Sequence, residues 1–180
     1  YCTQGPSTTG PFRELERRHG FFRVAETGWP KLDPLLRAPS RVPRISLPHE
    51  RPVILYTSTF SRQLTSAPML LETIRALARD GGWQWLINLH PKMDERIVRA
   101  YRELEGEGVR FVETDDILPL LRTADVMVSD TSSVLKEFLV LDKPVVTFRN
   151  RRPGPHLLDI QQPAELEPAI RRALERPEEL

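Results

Sequence analysis

Five short apolar runs alternate with stretches of helical periodicity from residue 52 onwards. The runs contain apolar residues at consecutive positions, which is typical of strands buried on both faces of a sheet. They lie at residues 53–56, 85–89, 109–112, 126–128 and 144–148. The alternation of strands with helices predicts an α/β fold, a Rossmann-like parallel sheet with helices on both faces.

The stretches between the runs predict amphipathic helices. In residues 67–79, Leu70, Ile74 and Leu77 recur with the spacing of one helix face, and Gly81 follows where that helix should end. Four further helices are predicted, at residues 97–106, 117–122, 134–141 and 163–175.

The first 51 residues show no such alternation. Six prolines stand from residue 30 to residue 52, a density that disfavours regular helices and central strands. Before them, residues 11–19 are compatible with one helix and residues 21–24 with a short strand. We therefore expect residues 1–51 to be a junction segment with a proline-rich linker, and residues 52–180 to be the Rossmann-like domain.

Polar residues follow every predicted strand. In an open parallel sheet the ligand binds at the carboxyl ends of the strands, which share one edge, so these residues should meet in space. The alternative is that loops are polar in any protein. In chain order, the five strands are followed by Ser58 and Thr59, by His90 and Lys92, by residues 113–116, by residues 129–133, and by residues 149–152, which begin with Arg149.

The fourth of these loops, Ser129, Asp130, Thr131, Ser132 and Ser133, is the most informative. A helix needs one N-cap, and each of these five side chains could supply it. Hydroxyl groups in excess, next to the unpaired N–H groups of a helix N-terminus, favour a phosphate-binding site. The alternative is a cap with more candidates than it needs.

Charged side chains near the same edge suggest how an anion could be held. A proline follows His90 and keeps it out of helical geometry. Histidine can donate to a phosphate oxygen as a leaving group departs, although a lone histidine is usually structural. Lys92 and Arg149 add positive charge for a diphosphate. Arg151 and Arg152 are first interpreted as a solvated charge run.

Three acidic positions have two interpretations each. Glu137 lies about one turn inside the predicted helix 134–141, where it could accept hydrogen bonds from ribose hydroxyls or face solvent. Asp115 and Asp116 could bind a divalent ion, but adjacent side chains rarely converge. Capping the helix that begins at Ile117 is the favoured interpretation.

Composition excludes several classes of protein. The net charge of +1, from 26 basic and 25 acidic residues, gives no reason to expect nucleic acid as a partner. The single cysteine cannot form an internal disulfide and fits a reducing compartment. The sequence has no GxGxxG, P-loop, GxSxG or metal-ligand motif, so we expect no metal ion or other cofactor. No apolar run approaches the ~20 residues of a membrane span, and the start at Tyr1, without methionine, suggests a fragment.

Three segments resemble one enzyme family. Residues 115–146, DDILPLLRTADVMVSDTSSVLKEFLVLDKPVV, are similar to the C-terminal domain of the CDP-glycerol glycerophosphotransferases, the polymerases and primases of teichoic-acid synthesis. HPK at residues 90–92 resembles their His-Pro motif, and TGWPKLD at residues 27–33 resembles their Gly-x-Pro-x-x-Asp segment. The resemblance covers about residues 27–148, and the block at 115–146 is its specific part.

The resemblance implies a GT-B architecture, in which two Rossmann-like domains face each other across a cleft. It makes residues 52–180 the C-terminal, nucleotide-donor-binding domain and places the acceptor site and the catalytic base in an N-terminal domain outside this chain. His90 would contact the donor diphosphate, and the loop 129–133 would line the phosphate and ribose pocket. The loop from Asp116 through Ile117 to Leu121 would flank the base.

Differences from the family leave the donor open. Thr131 stands where the family usually has tyrosine, and Glu137 stands near a position that is often aspartate. TFRNRRPGPHLLDI, at residues 147–160, resembles the arginine-rich segment of UDP-N-acetylglucosamine 2-epimerases, which share the fold and have glutamate at the position of Glu137. The donor is therefore CDP-glycerol or a UDP-sugar.

We expect a cytoplasmic transferase, associated peripherally with the inner face of the cell membrane. It would move glycerol phosphate, or a related sugar phosphate, from a CDP-linked donor to a cell-envelope polymer or a lipid-linked acceptor. The alternatives are a UDP-sugar enzyme of the same fold, either a 2-epimerase or a glycosyltransferase, and a non-catalytic binding domain. Without its partner domain the chain should bind the donor but not turn it over.

Overall fold

The computed structural model describes residues 1–37, 41–48, 50–106 and 108–175. The chain divides into two compact units, Tyr1–Val42 and Pro43–Leu180. One of the six linker prolines, Pro39, lies outside the described residues.

The second unit begins before the change in sequence pattern at residue 52. It includes the segment 43–48, which two hydrogen bonds hold against the rest of the unit. The Ile45 amide donates to Thr123 Oγ1 (2.7 Å), and Arg110 Nη1 donates to the Ser46 carbonyl (2.9 Å). The part of the proline-rich stretch from residue 43 onwards therefore belongs to the larger unit and packs within it.

Among its described residues, the first unit has five elements: β1 (Cys2–Thr3), α1 (Pro6–His19), β2 (Ala25–Glu26), a 3-10 turn (Pro30–Leu32) and α2 (Asp33–Arg37). β1 and β2 pair in parallel. The predicted helix is confirmed and begins earlier, whereas the strand predicted at 21–24 is wrong. The prolines do not prevent helices, because Pro30 opens the 3-10 turn and Pro34 lies in the first turn of α2, where no N–H is needed.

The second unit alternates strands and helices. In order, they are β3 (Val53–Ser58), α3 (Ala67–Arg79), β4 (Gln84–Leu89), α4 (Glu95–Arg102), β5 (Val109–Phe111), α5 (Leu118–Thr123), β6 (Val126–Ser129), α6 (Val134–Leu139), β7 (Val145–Phe148), β8 (Leu158–Ile160), a 3-10 turn (Pro163–Glu165) and α7 (Leu166–Glu175). The five predicted strands and the predicted helices are confirmed. β8 is a sixth strand that the sequence pattern did not predict, since it is three residues long and follows a Pro-Gly-Pro segment.

All six strands of this sheet are parallel, in the order β5-β4-β3-β6-β7-β8. From β3 the chain adds β4 and β5 on one side of the sheet. It then crosses back to place β6 on the other side of β3, and adds β7 and β8 beyond β6. The crevice at the carboxyl ends of β3 and β6 is thus the topological switch point, where open α/β sheets bind their ligands.

The core lies on both faces of the sheet. On one face, Ile54 and Tyr56 of β3 pack with residues of α3, α4 and α7. Leu55, between them in sequence, points to the other face because side chains alternate along a strand, and Leu120 of α5 and Phe138 of α6 are buried outside the first cluster. This confirms the predicted fold class. Among the described residues, no helix is long and apolar enough to cross a lipid bilayer.

Candidate functional site

The exits of β3, β6 and β7 are tied together by hydrogen bonds at the switch point. Thr57 Oγ1 and Ser129 Oγ share a hydrogen bond of 3.1 Å between β3 and β6. Asn150 Nδ2, after β7, donates to the Asp130 carbonyl (2.7 Å), after β6. The Arg151 amide donates to Thr131 Oγ1 (3.3 Å). Three of the polar loops predicted to converge are therefore in contact.

The Asp130 carboxylate is the centre of this contact region and is completely buried. Its Oδ2 accepts hydrogen bonds from Ser58 Oγ (2.6 Å), from the Ser66 amide (2.8 Å) and from Ser66 Oγ (3.0 Å). Its Oδ1 accepts from the Thr59 amide (3.0 Å). Four donors are enough to compensate a buried charge for its lost hydration. Asp130 thus holds the exit of β3 and the start of α3 to the exit of β6.

Asp130 also occupies the N-terminus of α3, which we call the α3 mouth (residues 65–67). Ser66 is the N-cap of α3, and its amide, the first free donor there, points at the carboxylate. The next amide, Ala67 N, donates to Thr65 Oγ1 (3.2 Å). A helix N-terminus of this kind, directly after the first strand of a Rossmann-like sheet, normally attracts a phosphate. In this protein an internal carboxylate takes that position.

Two buried tyrosines contact the α3 mouth from the core of the protein. The Tyr56 hydroxyl shares a hydrogen bond of 2.9 Å with Ser66 Oγ, and the Tyr101 hydroxyl donates to the Ala67 carbonyl (2.8 Å). Their rings stack with centroids 5.3 Å apart. Burial raises the pKa of both hydroxyls well above the ordinary value for tyrosine, so both stay protonated and neutral at neutral pH.

Three residues predicted to line the pocket lie beneath its surface. Ser58, Ser129 and Asp130 are 3%, 0% and 0% exposed. Their hydrogen bonds are made to neighbouring strands and loops, so in this structure they hold the exits of β3 and β6 together. Thr59, at the exit of β3, is half-buried and is held through its amide by Asp130.

Hydroxyl groups remain accessible at the N-terminus of α6, which we call the α6 mouth (residues 131–133). Thr131 and Ser132 are half-buried and Ser133 is exposed. Ser133 is the N-cap residue, but its side chain makes no capping hydrogen bond, and Ser132 Oγ accepts from the Val134 amide at 3.4 Å. The surplus of cap residues noted in the sequence therefore leaves at least one hydroxyl uncommitted to the helix.

Glu137, on α6, is 5% exposed. The plainer interpretation of this residue, a solvated helix surface, is therefore wrong. Its carboxylate is therefore sheltered from water, about one turn into the helix that begins at the α6 mouth.

His90, at the exit of β4, is exposed and oriented by two neighbours. Its ring packs against Phe60 with centroids 4.4 Å apart, and its Nδ1 accepts from the Lys92 amide (3.0 Å). In the neutral ring the proton then lies on Nε2, which becomes a hydrogen-bond donor. The Lys92 ammonium lies 5.7 Å from the centre of the Phe60 ring. Phe60, which the sequence analysis did not single out, thereby links the exits of β3 and β4.

Asp116 and Ile117, at the exit of β5, have structural roles in this conformation. Asp116 Oδ1 accepts from the amide of Leu118, the first residue of α5 (3.1 Å). Ile117 holds the N-cap position and is 6% exposed. The bond of Asp116 to the first turn of α5 agrees with its interpretation as a residue that stabilises the start of this helix. Among the residues that the structure describes, no group of acidic, histidine or cysteine side chains could hold a metal ion.

An open pocket of about 590 Å³ lies between the exits of β4 and β5, beside the switch point and not in it. Its volume is within the range of about 300–1,000 Å³ usual for ligand sites. Arg102 and Glu113 form an ion pair of 2.6 Å at its wall. The other lining residues include His90, Met93, Arg99 and Asp115. His90 therefore stands between this pocket and the switch point.

Arg149, at the exit of β7, is exposed but its guanidinium is engaged. Its Nε donates to the Gln161 carbonyl (2.9 Å), its Nη1 lies 3.5 Å from Met69 Sδ, and the group stacks 5.0 Å from the centre of the Phe148 ring. Asp159 of β8 fixes the next residue, because its Oδ1 accepts from the Asn150 amide (2.8 Å). Asn150 belongs to the polar segment predicted after the fifth strand, whereas Asp159 was not predicted. Asp159 could not have been, since its strand was not recognised.

Comparison with known proteins places the chain in one family. The sequence profile described as CDP-glycerol:poly(glycerophosphate) glycerophosphotransferase matches residues 15–151, more than half of the chain. The teichoic acid glycerol-phosphate primase of Bacillus spizizenii is 31% identical over 107 residues, which cover 58% of this chain and 27% of the primase. These matches confirm the resemblance seen in the sequence.

Solved structures share the fold. A variant of the wall teichoic acid polymerase TagF, soaked with CDPG, aligns with 98% of this chain and 49% of its own, with a TM-score of 0.64 and 18% identity. A protein assigned as a UDP-N-acetylglucosamine 2-epimerase, from Listeria monocytogenes, aligns with 82% of this chain and 44% of its own, with a TM-score of 0.60 and 17% identity. The chain spans about half the length of these structures, and the likeness supports the GT-B class of fold.

Proposed function

Because the chain belongs to the family of CDP-glycerol:poly(glycerophosphate) glycerophosphotransferases, we propose that it is the donor-binding half of such a transferase. The enzyme moves glycerol phosphate from CDP-glycerol to a cell-envelope polymer or a lipid-linked acceptor. This chain holds the donor along the carboxyl edge of its sheet. The catalytic base and the site of the attacking acceptor hydroxyl lie in a partner domain.

The observation that carries this proposal is the contrast between two neighbouring loops at the switch point. The α3 mouth is filled by the Asp130 carboxylate, with four hydrogen bonds. The α6 mouth presents the accessible Thr131, Ser132 and Ser133, next to the buried Glu137. A nucleoside diphosphate needs hydroxyl and N–H donors for its phosphates and an acceptor for its ribose hydroxyls. Only the α6 mouth combines these among the loops described at the switch point.

His90 supplies the proposed catalytic contact. An acceptor hydroxyl attacks the β-phosphorus of CDP-glycerol and gives its proton to the catalytic base of the partner domain. The bond from that phosphorus to the bridging oxygen breaks, and CMP leaves with the bridging oxygen. Nε2 of His90 donates a hydrogen bond to the oxygen on which negative charge develops, while its Nδ1 is held by the Lys92 amide. Positioning and electrostatic stabilisation of this kind need no covalent intermediate on the protein.

Lys92 adds a cation near His90, since its ammonium stays close to the Phe60 ring. Arg149 has a lesser part in this proposal than the sequence suggested. Its guanidinium already bonds Gln161 and stacks on Phe148. It braces the loop after β7 and contributes to the local positive potential.

Nucleotide titration of the 180-residue chain tests the proposal. We expect isothermal titration calorimetry to give saturable binding of CDP-glycerol, weaker binding of CMP, and binding of UDP and UDP-N-acetylglucosamine at least tenfold weaker than CDP-glycerol, on the order of 1.4 kcal/mol. A preference for uridine nucleotides would make the chain part of a UDP-sugar enzyme. Absence of binding to all four would indicate a non-catalytic domain.

A further inference from the structure

The loop from Arg149 to Arg152, after β7, is built by a complete set of backbone hydrogen bonds. The Arg149 amide donates to the Ile160 carbonyl (2.9 Å) and the Asn150 amide to Asp159 Oδ1 (2.8 Å). The Arg151 amide donates to Thr131 Oγ1 (3.3 Å), and the Arg152 amide to Asn150 Oδ1 (2.8 Å). A loop whose every N–H is bonded has its backbone, and therefore the Cα atoms of its residues, held in place.

The same loop contains a strained residue. Arg149 has a φ of 50°, in the left-handed region that non-glycine residues rarely adopt. The turn at Arg149 brings the following residues back to the exit of β6, where Asn150 Nδ2 bonds the Asp130 carbonyl (2.7 Å). The turn thus brings the Arg151 amide to Thr131 at the α6 mouth, and Arg152 follows it in the chain.

Arg151 and Arg152 are exposed, and their guanidinium groups have no hydrogen-bond or ion-pair partner among the residues described. Each is joined to the site only through its amide. What distinguishes this pair from other exposed arginines, such as Arg17 and Arg18, is its loop, which is bonded to the α6 mouth through the Arg151 amide. Two guanidiniums without a protein partner beside that mouth suit an anionic ligand, since the fork of an arginine matches a phosphate group.

We propose that Arg151 and Arg152 bind phosphate groups of the acceptor, an anionic polymer of phosphodiester-linked polyol units, next to the donor. This inference rests on the proposed function and names the acceptor surface within it. The exposure of both side chains suits a long flexible polyanion that lies along the surface. A donor diphosphate would be enclosed at the α6 mouth and held by His90. The contact of the Arg151 amide with Thr131 places the acceptor phosphates directly beside that mouth.

The test compares polymer binding with donor binding in the 180-residue chain. The double variant Arg151→Gln/Arg152→Gln removes two positive charges and keeps the amides that brace the loop. We expect its affinity for end-labelled poly(glycerol phosphate), measured by fluorescence anisotropy, to fall about tenfold, as two exposed charge-assisted contacts would give. Its dependence on salt concentration should be shallower than that of the unmodified chain. The affinity for CDP-glycerol, measured by calorimetry, should change less than twofold.

The matched control is Arg17→Gln/Arg18→Gln, which removes the same charge from a pair of adjacent, exposed arginines on α1. Its polymer affinity should change less than twofold. Equal losses in both double variants would overturn the inference, because the polymer would then sense only net charge. A loss of CDP-glycerol affinity in the first variant would also overturn it and would assign the arginines to the donor. If the unmodified chain binds CDP-glycerol but not the polymer, this inference fails while the proposed function stands.

Discussion

The α3 mouth and the α6 mouth lie side by side at one edge of the sheet and are built in opposite ways. The α3 mouth contains its own anion, Asp130, with Ser66 and two tyrosines packed around it. The α6 mouth has accessible hydroxyls, and its N-cap, Ser133, makes no side-chain capping bond. Both follow strands at the switch point, so topology alone would have made either one a ligand site.

The α3 mouth and the α6 mouth have equivalent positions in the fold, and the difference in their side chains indicates that the α6 mouth is the one open to a ligand. The carboxylate that closes the α3 mouth comes from the loop that forms the α6 mouth, because Asp130 and Thr131 are adjacent in the chain. Closing one position therefore fixes the geometry of the other. Substitutions at the α3 mouth should act on stability, and substitutions at the α6 mouth should act on donor binding.

The largest effect is expected for Asp130→Ala. The substitution leaves the buried amides of Thr59 and Ser66 without an acceptor, which should lower the free energy of unfolding by about 3 kcal/mol. Urea denaturation followed by circular dichroism measures this. Asp115→Ala, which removes an exposed carboxylate, should change it by less than about 0.5 kcal/mol. Equal effects of the two substitutions would mean that the α3 mouth is not held by Asp130.

The α3 mouth should also lose stability in alkaline solution. Burial raises the pKa of Tyr56 and Tyr101 in the folded protein, so the unfolded chain loses these protons first, near pH 10. Stability is full below that pH and falls as the pH rises further, by about 1.4 kcal/mol per pH unit for each tyrosine. Urea denaturation between pH 9 and pH 11 measures the slope.

Tyr56→Phe separates this effect from other alkaline changes. It should make the slope above about pH 10 shallower by roughly half. Tyr1→Phe should leave the slope unchanged, because Tyr1 is 66% exposed. If Tyr56→Phe leaves the slope of unfolding free energy against pH unchanged, the buried tyrosine hydroxyls are not the cause of the alkaline loss of stability.

Removal of the His90 ring tests the proposed donor site. His90→Ala should weaken CDP-glycerol binding about tenfold, as expected for one hydrogen bond to a charged phosphate. His90→Gln, which keeps an N–H near the position of Nε2, should recover part of that loss. Calorimetry gives both affinities, with His19→Ala as the control at an exposed histidine in α1. Unchanged affinity in His90→Ala would place His90 outside the donor site.

The smallest effect is expected at the α6 mouth itself. Ser132→Ala and Ser133→Ala should each weaken CDP-glycerol binding about threefold, the effect of one neutral hydrogen bond. Neither should change the urea midpoint measurably, since Ser133 makes no capping bond and the Ser132 bond is long. A loss of stability without a loss of affinity would make these serines a helix cap and nothing more.

The sequence predicts the order of elements well because the strands of the large unit are buried on both faces. Val53–Ser58, with six buried residues in succession, leaves little ambiguity. β8 escapes the pattern because it has three residues, of which only Ile160 is buried. The sequence does not predict helix α2, because a proline in the first turn of a helix cannot be distinguished by sequence alone from a proline that breaks one.

The candidate site is predictable in its location but not in the direction of its side chains. Five polar residues in a row identify the loop 129–133, yet no periodicity tells which of them turn inward. Asp130 does so because Ser66 and Thr59, from two other segments, present amides to it. Likewise, Glu137 is buried where a charged residue on a helix would be expected in solvent. Such contacts depend on residues far away in the chain.

The bond between Asp130 and Ser66 joins residues 64 positions apart. During synthesis on the ribosome, α3 emerges long before its stabilising carboxylate does. The segment from β3 to β5 therefore stays incompletely folded until the strand β6 has been made and has inserted next to β3. A nascent chain stalled before residue 130 should be sensitive to proteases throughout α3, and one that extends past α6 should be resistant.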